Sequence, residues 1–501
     1  MKAELEKRLG EFKEYVKNLE YIGNATAAIY WDTRVNMPKK GMPYRGELLG
    51  YLSSEQYKLQ TSPELKAFLD EFSSAADLDA VTAAMVRELQ RAYDHTMKIP
   101  AQEFREYSVA TAAAEAAWEE ARAKSDFSLF LPHLEKLIDY NRKFIGYWGH
   151  KGTQYDTLLD LYEPGATVES IGKAFAPLRD AIVSLLERIK AKGAQPDDSF
   201  FKKHFPAKDQ EGFSRYVLEK IGYDFEAGRL DVSTHPFTVT LGVDDIRITT
   251  RYLEDEFRSA LFSCVHEGGH AIYEQDIPNS LVGTTLHQGV SMGIHESQSR
   301  FYENIIGRSR EFWKCFLPEA QKRFPQFEGV SLEAFYRGIN TVTPSLIRVE
   351  ADELTYSLHV IIRFEIEKAI FNDGVAAKDL PALWNSKYKE YLGIEPGNDA
   401  EGVLQDMHWS GGSFGYFPSY ALGNLYGGQF LNTLKKDIPD IYAQVAAGEF
   451  APLHNWLKAK IHVHGAVYQP GVLLEMVTGE PLNAQYFIDY LNQKYTEIYD
   501  L

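Results

Sequence analysis

Cysteine is almost missing: Cys264 and Cys315 are the two in a chain of 501 residues. Two thiols cannot staple a small secreted domain, so both read as buried free cysteines. Long apolar runs are also missing. No stretch approaches the roughly 18 consecutive apolar residues of a membrane-spanning helix, and the start, Met1-Lys2-Ala3-Glu4-Leu5-Glu6-Lys7-Arg8, is a charged helix opening without the apolar segment of an export signal. A soluble, cytoplasmic protein is expected. Positive charge is in deficit, with 53 Lys and Arg against 71 Asp and Glu and a formal net charge of -18. Such a surface repels nucleic acid and anionic membrane, and both are excluded as partners. No 20–50-residue period repeats, which excludes a solenoid.

What is present is helical pattern. Leu5, Leu9, Phe12, Val16 and Leu19 recur at helical spacing, which predicts a long amphipathic first helix. Residues 104–123 are alanine-rich, with Tyr107, Thr111, Ala114 and Trp118 along one stripe suited to close helix packing. Trp31 to Arg34, then Met37-Pro38, ends an early helix or loop, and Tyr162-Glu163-Pro164-Gly165 reads as a turn with no chemistry of its own. The β signal is confined to Pro236–Leu241 and Ile246–Thr250, two β-branched runs separated by Gly242, Asp244 and Asp245. They predict a hairpin, which either binds extended peptide at its edge or merely covers the end of a helical bundle.

The hairpin is followed by His266-Glu267-Gly268-Gly269-His270, inside a helix predicted over about 255–274. Imidazoles four residues apart share one helical face, so His266 and His270 can grip one metal ion while Glu267 reaches a water beside it. Each glycine inside a helix costs about 1 kcal/mol relative to alanine. The pair Gly268-Gly269 therefore marks a close approach by substrate or by a crossing segment.

A catalytic zinc needs a third protein ligand and an open position. Asp276, six residues past His270, would need a sharp turn where Tyr273 stands, which disfavours it. A second helix over 293–303 serves better. The intervening Pro278, Asn279, Gly283 and Gly289 allow a reversal that sets the two helices side by side, and Glu296 then completes a His2Glu set. Ser299, Arg300 and Glu303 share its face and either support it or, for Arg300 and Glu303, form a solvated charge stripe, while His295 points elsewhere, as a group behind the ligands or an ordinary polar core residue.

Six ordered segments then carry a resemblance. His235-Pro236-Phe237, Asp245-Ile246-Arg247-Ile248-Thr249, His266 to His270, His295-Glu296-Ser297-Gln298, Ile347-Arg348-Val349-Glu350-Ala351-Asp352 and Gly402-Val403-Leu404-Gln405-Asp406-Met407-His408-Trp409 together resemble the carboxypeptidase Taq family of metallocarboxypeptidases. The resemblance implies a mainly α-helical gluzincin fold, like that of neurolysin and the angiotensin-converting enzyme, with a small hairpin sheet beside the metal helix and a deep groove. It implies one unit over 1–501 with two lobes, the metal site in 235–300 and substrate segments in 347–352 and 402–420. It further implies a zinc enzyme, with cobalt as the other ion a His2Glu set accepts, a homodimer, and release of single C-terminal residues with broad specificity.

The remaining roles follow from what such a reaction needs. Glu267 is the expected general base. Oxyanion donors are sought in Gly411–Tyr420, with Tyr420 first and Tyr416 second; either tyrosine alone would serve equally as aromatic packing. Arg348 is the candidate partner for the substrate's terminal carboxylate, or else an ion-pair partner of Asp352 or Glu353 within a helix over 346–358. Arg247 either contacts substrate or clamps Asp245, and His235 and His408 either donate to substrate carbonyls or are satisfied polar residues near the groove. His462 and His464 form an H-x-H pair without an acidic neighbour in sequence, read as core or surface histidines. The competing functions are an oligopeptidase or dipeptidyl carboxypeptidase on the same metal centre, and a helical binding protein with a vestigial site.

Overall fold

The computed structural model describes residues 2–150 and 152–501; Met1, the first residue of the charged opening, lies outside them. The protein is mainly α, as expected, with one small sheet. The first helix, α1 (Lys2–Val35), buries the predicted stripe: Phe12 and Val16 are fully buried and Leu19 nearly so. Phe12 stacks on Phe68 and Phe72, with ring centroids 4.8 and 5.4 Å away, and each buried ring contributes about 1.5–3 kcal/mol. The next helix, α2 (Met42–Gln60), buries no residue and leans on α1.

The fully buried apolar positions lie in the first half of α1; in the second half Tyr30 meets the Phe237 ring at 6.0 Å, and polar contacts add to it. Glu20 accepts hydrogen bonds from the backbone N–H groups of Gly283 (2.8 Å) and Thr285 (3.0 Å). Near its end, the Trp31 ring is contacted by two guanidinium groups, Arg247 at 4.4 Å and Arg229 at 5.1 Å from the ring centroid. Between these anchors, Leu19, Glu20, Gly23 and Asn24 face a cavity of about 1150 Å³.

The alanine-rich helix runs Ala101–Lys124, with Ala110, Ala114, Trp118 and Ala121 buried, and packs against Phe127–Trp148. Small residues let the two backbones approach, as the stripe implied.

The hairpin forms and gains a third strand. In the order β1 (Leu230–Val232), β3 (Ile246–Thr250), β2 (Thr238–Thr240), β2 pairs with β3 antiparallel, Thr238 opposite Ile248, and β1 pairs with β3 parallel. The turn between β2 and β3 puts Asp244 at φ 55° and Gly242 at φ 146°. That leaves β2 at the edge of the sheet, with Thr238 and Thr240 on the cavity wall.

Candidate active site

The H-E-G-G-H helix spans Phe257–Gln275 and starts where the Glu256 side chain accepts from Arg258 N. Its two glycines meet different neighbours. A Cβ on Gly269 would fall 2.7 Å from Gln298 O and Ser299 Cα, so the close approach is a crossing segment, the helix that carries Glu296. A Cβ on Gly268 would meet the Leu218 side chain at 2.5 Å. The Glu296 helix itself runs Met292–Arg300 and passes into a π-helical turn over Phe301–Ile306, a widening frequent at functional sites.

His266, His270 and Glu296 come together, with their ligand atoms all within 4.8 Å of one another. Hydrogen bonds behind the rings decide which nitrogen is free. Glu303 Oε2 accepts from His266 Nδ1 at 2.8 Å, which leaves the Nε2 lone pair of that ring forward. His295 gives its Nε2–H to Glu274 at 2.9 Å, so its Nδ1 accepts from His270 Nδ1 at 2.7 Å and the His270 Nε2 lone pair also points forward.

Glu296 Oε2 stands 3.7 Å from His266 Nε2 and 3.5 Å from His270 Nε2. Those separations are too long for strong hydrogen bonds. They are close to the roughly 3.3 Å edge of a tetrahedron with bonds of about 2 Å, so the donor set fits a divalent ion. The other oxygen, Glu296 Oε1, accepts from Arg300 Nε at 2.7 Å, and Arg300 lies 4.1 Å from the centroid of Tyr356. Burial opposes ionisation of Glu296, yet Arg300 and His266 hold it well below the usual carboxylate range. Burial takes the His270 imidazole down to about 3, while for His266 the nearby Glu296 and Glu303 outweigh burial and raise it.

Glu267 reaches the cavity from the same helix and accepts from Thr238 Oγ1 at 2.6 Å; burial raises its pKa. Strand β2 thus supports two carboxylates, since Thr240 Oγ1 also donates to Glu274 at 3.1 Å. Glu274 was not singled out from the sequence, although it continues the face of His266 and His270 by one more step of four residues.

Asp276 takes no part in this set. It accepts from His454 (2.7 Å), His462 (2.8 Å) and Lys458 (2.8 Å), which fasten the end of the H-E-G-G-H helix to the Ala451–Lys460 helix and the His462–His464 turn after it. His462 is therefore a satisfied core histidine, bonded on its other nitrogen to Gln298 Oε1 at 2.9 Å. Among the described residues His464 makes no such bond, and its ring meets Tyr468 edge-on at 5.3 Å.

On the facing wall, Tyr416, Ser419 and Tyr420 line the cavity; Tyr420 belongs to the helix Pro418–Asp437. Tyr420 OH lies 3.3 Å from His408 Nε2, and burial pushes the His408 imidazole down to about 4 and the Tyr420 phenol well up.

Arg348 is placed differently from its expected setting. It sits in a 3-10 turn, Arg348–Glu350, and the helix begins only at Glu353, because the Asp352 side chain accepts from Thr355 N as a cap. Neither predicted ion-pair partner is available: Asp352 is spent on that cap, and Glu353 pairs with Lys494 at 2.6 Å. Arg348 Nε and Nη2 donate instead to Asp406 Oδ1 at 3.0 and 2.9 Å, and Arg363 holds the other oxygen of Asp406 at 2.6 Å. Burial opposes its charge, but Arg348 and Arg363 keep Asp406 well below the usual carboxylate range. The guanidinium lies one layer behind the cavity wall, 4.8 Å from the Tyr420 ring centroid.

The other expected substrate contacts are also outside the cavity lining. Arg247 is bidentate to Asp245, with both bonds 2.7 Å, and is covered by Trp31. His235 is exposed in the loop between β1 and β2.

A family profile described as "Carboxypeptidase Taq (M32) metallopeptidase" matches residues 11–495. Carboxypeptidase 1 of Bacillus subtilis (strain 168) is 49% identical over 98% of this chain and 98% of its own. Thermostable carboxypeptidase 1 of Thermus thermophilus is 40% identical over 97% of this chain and 98% of its own. The crystal structure of the M32 carboxypeptidase from Deinococcus radiodurans R1 superposes with a TM-score of 0.97 at 37% identity, covering 99% of this chain and all (100%) of that one.

Proposed function

The chain belongs to the carboxypeptidase Taq (M32) metallopeptidase family and is a metallocarboxypeptidase, and on that premise we propose that it uses zinc to release single C-terminal residues, with broad side-chain tolerance, from peptides. One observation carries the metal-centre reading: the outer hydrogen bonds of His266 and His270 leave both Nε2 atoms turned towards Glu296. A divalent ion held by these three residues supplies Lewis-acid polarisation of a water and of the scissile carbonyl. The donor set suits zinc and also accepts cobalt.

The chain's own groups do the rest. Glu267, oriented by Thr238 and made more basic by burial, takes a proton from the attacking water and returns it to the leaving amine. Tyr420, with Tyr416 beside it, offers a phenolic O–H to the developing oxyanion. His408 keeps that phenol in place as a neutral imidazole whose Nε2–H donates to the phenol oxygen, which leaves the O–H free. The unpaired edge of β2 offers main-chain donors and acceptors to an extended peptide. Arg348 supplies the positive charge that draws the terminal carboxylate towards the Tyr420 wall. His235 and Arg247 act at the periphery, as loop and sheet supports. The protein works as a single unit over 1–501, in the cytoplasm and as a homodimer.

The test is mass spectrometry of a peptide digest with metal-stripped and zinc-restored protein. Mass losses of one residue at a time from the C-terminus are expected, after restoration only. Dipeptide or internal products would favour an oligopeptidase, and absence of hydrolysis with zinc or cobalt would leave a binding protein.

A further inference from the structure

The turn after the Gln154–Tyr162 helix holds a carboxylate that the reaction above does not use. Glu163 is 3% exposed. Among the described residues no Lys, Arg or His acts on it, and burial pushes its pKa up to about 7. A buried carboxyl without a counter-charge is unfavourable unless its hydrogen bonds are met. Here three donors meet them. Ser291 Oγ donates to Oε1 at 3.1 Å, Tyr426 OH to Oε1 at 2.8 Å and Gly293 N to Oε2 at 3.0 Å.

Those donors belong to two elements. Ser291 and Gly293 open the helix that carries Glu296, and Tyr426 lies on the helix that carries Tyr420. Capping alone does not explain the carboxylate, because Ser291 already caps that helix by accepting from Ile294 N at 3.1 Å. Nor is the approach loose: a Cβ on Gly293 would stand 2.7 Å from Glu163 Oε2. The preceding Tyr162 meets the Tyr416 ring edge-on at 5.1 Å, so the same turn touches both walls of the cavity.

We propose that Glu163 is a positioning residue of the metal centre, pinning the first turn of the Glu296 helix to the Tyr420 helix and so setting where the third ligand stands relative to His266 and His270. The proposal rests on the metal-centre reading above. The helix has only 9 residues and Glu296 is one turn inside it, so a slip at its start passes directly to the ligand. Arg300 steadies the carboxylate from the other side but is carried by the same helix and moves with it.

Glu163→Ala and Glu163→Gln, each in the full-length protein, test this by zinc affinity from chelator competition, alongside thermal unfolding of the metal-free protein. Glu163→Ala is expected to weaken zinc binding at least about tenfold, the scale for groups that orient metal ligands. Glu163→Gln restores affinity to within roughly threefold, because the amide oxygen takes Gly293 N–H and the amide NH2 donates to Ser291 or Tyr426. A merely structural Glu163 would lower Tm in Glu163→Ala while the folded protein bound zinc like wild type, and that result overturns the proposal. So does a Glu163→Gln no better than Glu163→Ala. If Glu163→Ala does not fold, Tyr426→Phe cuts the tie at its other end and is expected to weaken zinc roughly threefold or more; unchanged affinity there overturns the proposal equally. Wild-type protein that fails to bind zinc at all would instead remove the metal-centre reading on which this one stands.

Discussion

Gly423 stands against the stem of Glu296: a Cβ at position 423 would lie 2.7 Å from both Cβ and Cγ of that glutamate. Gly423 is three residues past Tyr420 on one helix, so this contact fixes the spacing between the Glu296 carboxylate and the Tyr420 phenol across the cavity.

Gly423→Ala sets two effects in opposition. Alanine improves helix propensity by about 1 kcal/mol. The clash reaches the Glu296 main-chain carbon at 2.9 Å as well as the side chain, and overpacking of that kind costs about 1–3 kcal/mol. The clash wins, and the expected outcome is a lower Tm with zinc affinity and kcat/KM each reduced more than about tenfold. A variant with raised Tm and wild-type zinc affinity would show that the helices can part without moving the ligand.

Glu267→Gln preserves shape, and the amide oxygen can still accept from Thr238 Oγ1. It cannot take the proton of the attacking water, so turnover is expected to fall by about 10²-fold or more while zinc stays bound. Metal content and kcat, measured on the same preparation, decide it. Wild-type turnover would take Glu267 out of the reaction.

Arg348→Ala should fold, because Asp406 keeps Arg363 at 2.6 Å. The guanidinium lies behind the cavity wall, so its contact with a terminal carboxylate forms only as substrate displaces that wall; a charge-assisted contact of this kind contributes about 1.5–3 kcal/mol, and activity on free-acid peptides is expected to drop more than about tenfold. The preference for free-acid over amidated peptides narrows with it, because the group that tells them apart is gone. Values of kcat/KM for both peptides on both proteins measure the coupling. Parallel losses on the two substrates would make Arg348 a support for Tyr420 rather than a carboxylate partner.

Glu367 gives a pH dependence with a definite sign. It accepts from Tyr155 OH, Trp409 Nε1 and Gly415 N, at 2.6, 2.7 and 2.8 Å, and burial pushes its pKa from 4.5 up to about 7. Between those values the folded chain holds a proton that the unfolded chain has lost. The stabilisation is complete below the lower value and is lost as pH rises through the upper one, by up to about 3 kcal/mol. Glutamine has no such proton, so Tm of Glu367→Gln is expected to fall less than wild type between pH 5 and pH 8. Equal slopes would mean that Glu367 is ionised throughout.

Local pattern revealed what local geometry determines. The spacing of His266 and His270, the glycine pair between them and the stripe on α1 each follow from helical period, and the structure realises them. Glu296 is placed by a reversal of the chain, and turn residues together with motif order were enough to find it. Glu274 left a usable signal at the next step of the histidine face. Glu163 left none, because Ser291 and Tyr426 are 128 and 263 residues away and nothing near residue 163 encodes them. Arg348 was seen, but its partner Asp406 is 58 residues distant, and neighbours at helical spacing drew the ion pair to the wrong carboxylates. Strand β1, three residues long, is too short for alternation to show.

The bond between Asp276 and His462 has a consequence in time. Ribosomes add roughly 5–20 residues per second, and chains fold from the amino terminus as they emerge. His266, His270 and Glu296 therefore exist on the order of ten seconds before Tyr420 and the segment that fastens the metal helix. During that interval the nascent chain carries the ligands without the opposing wall or the fastening. A chain stopped before residue 418 therefore lacks both the Pro418–Asp437 helix and the His454, Lys458 and His462 contacts to Asp276.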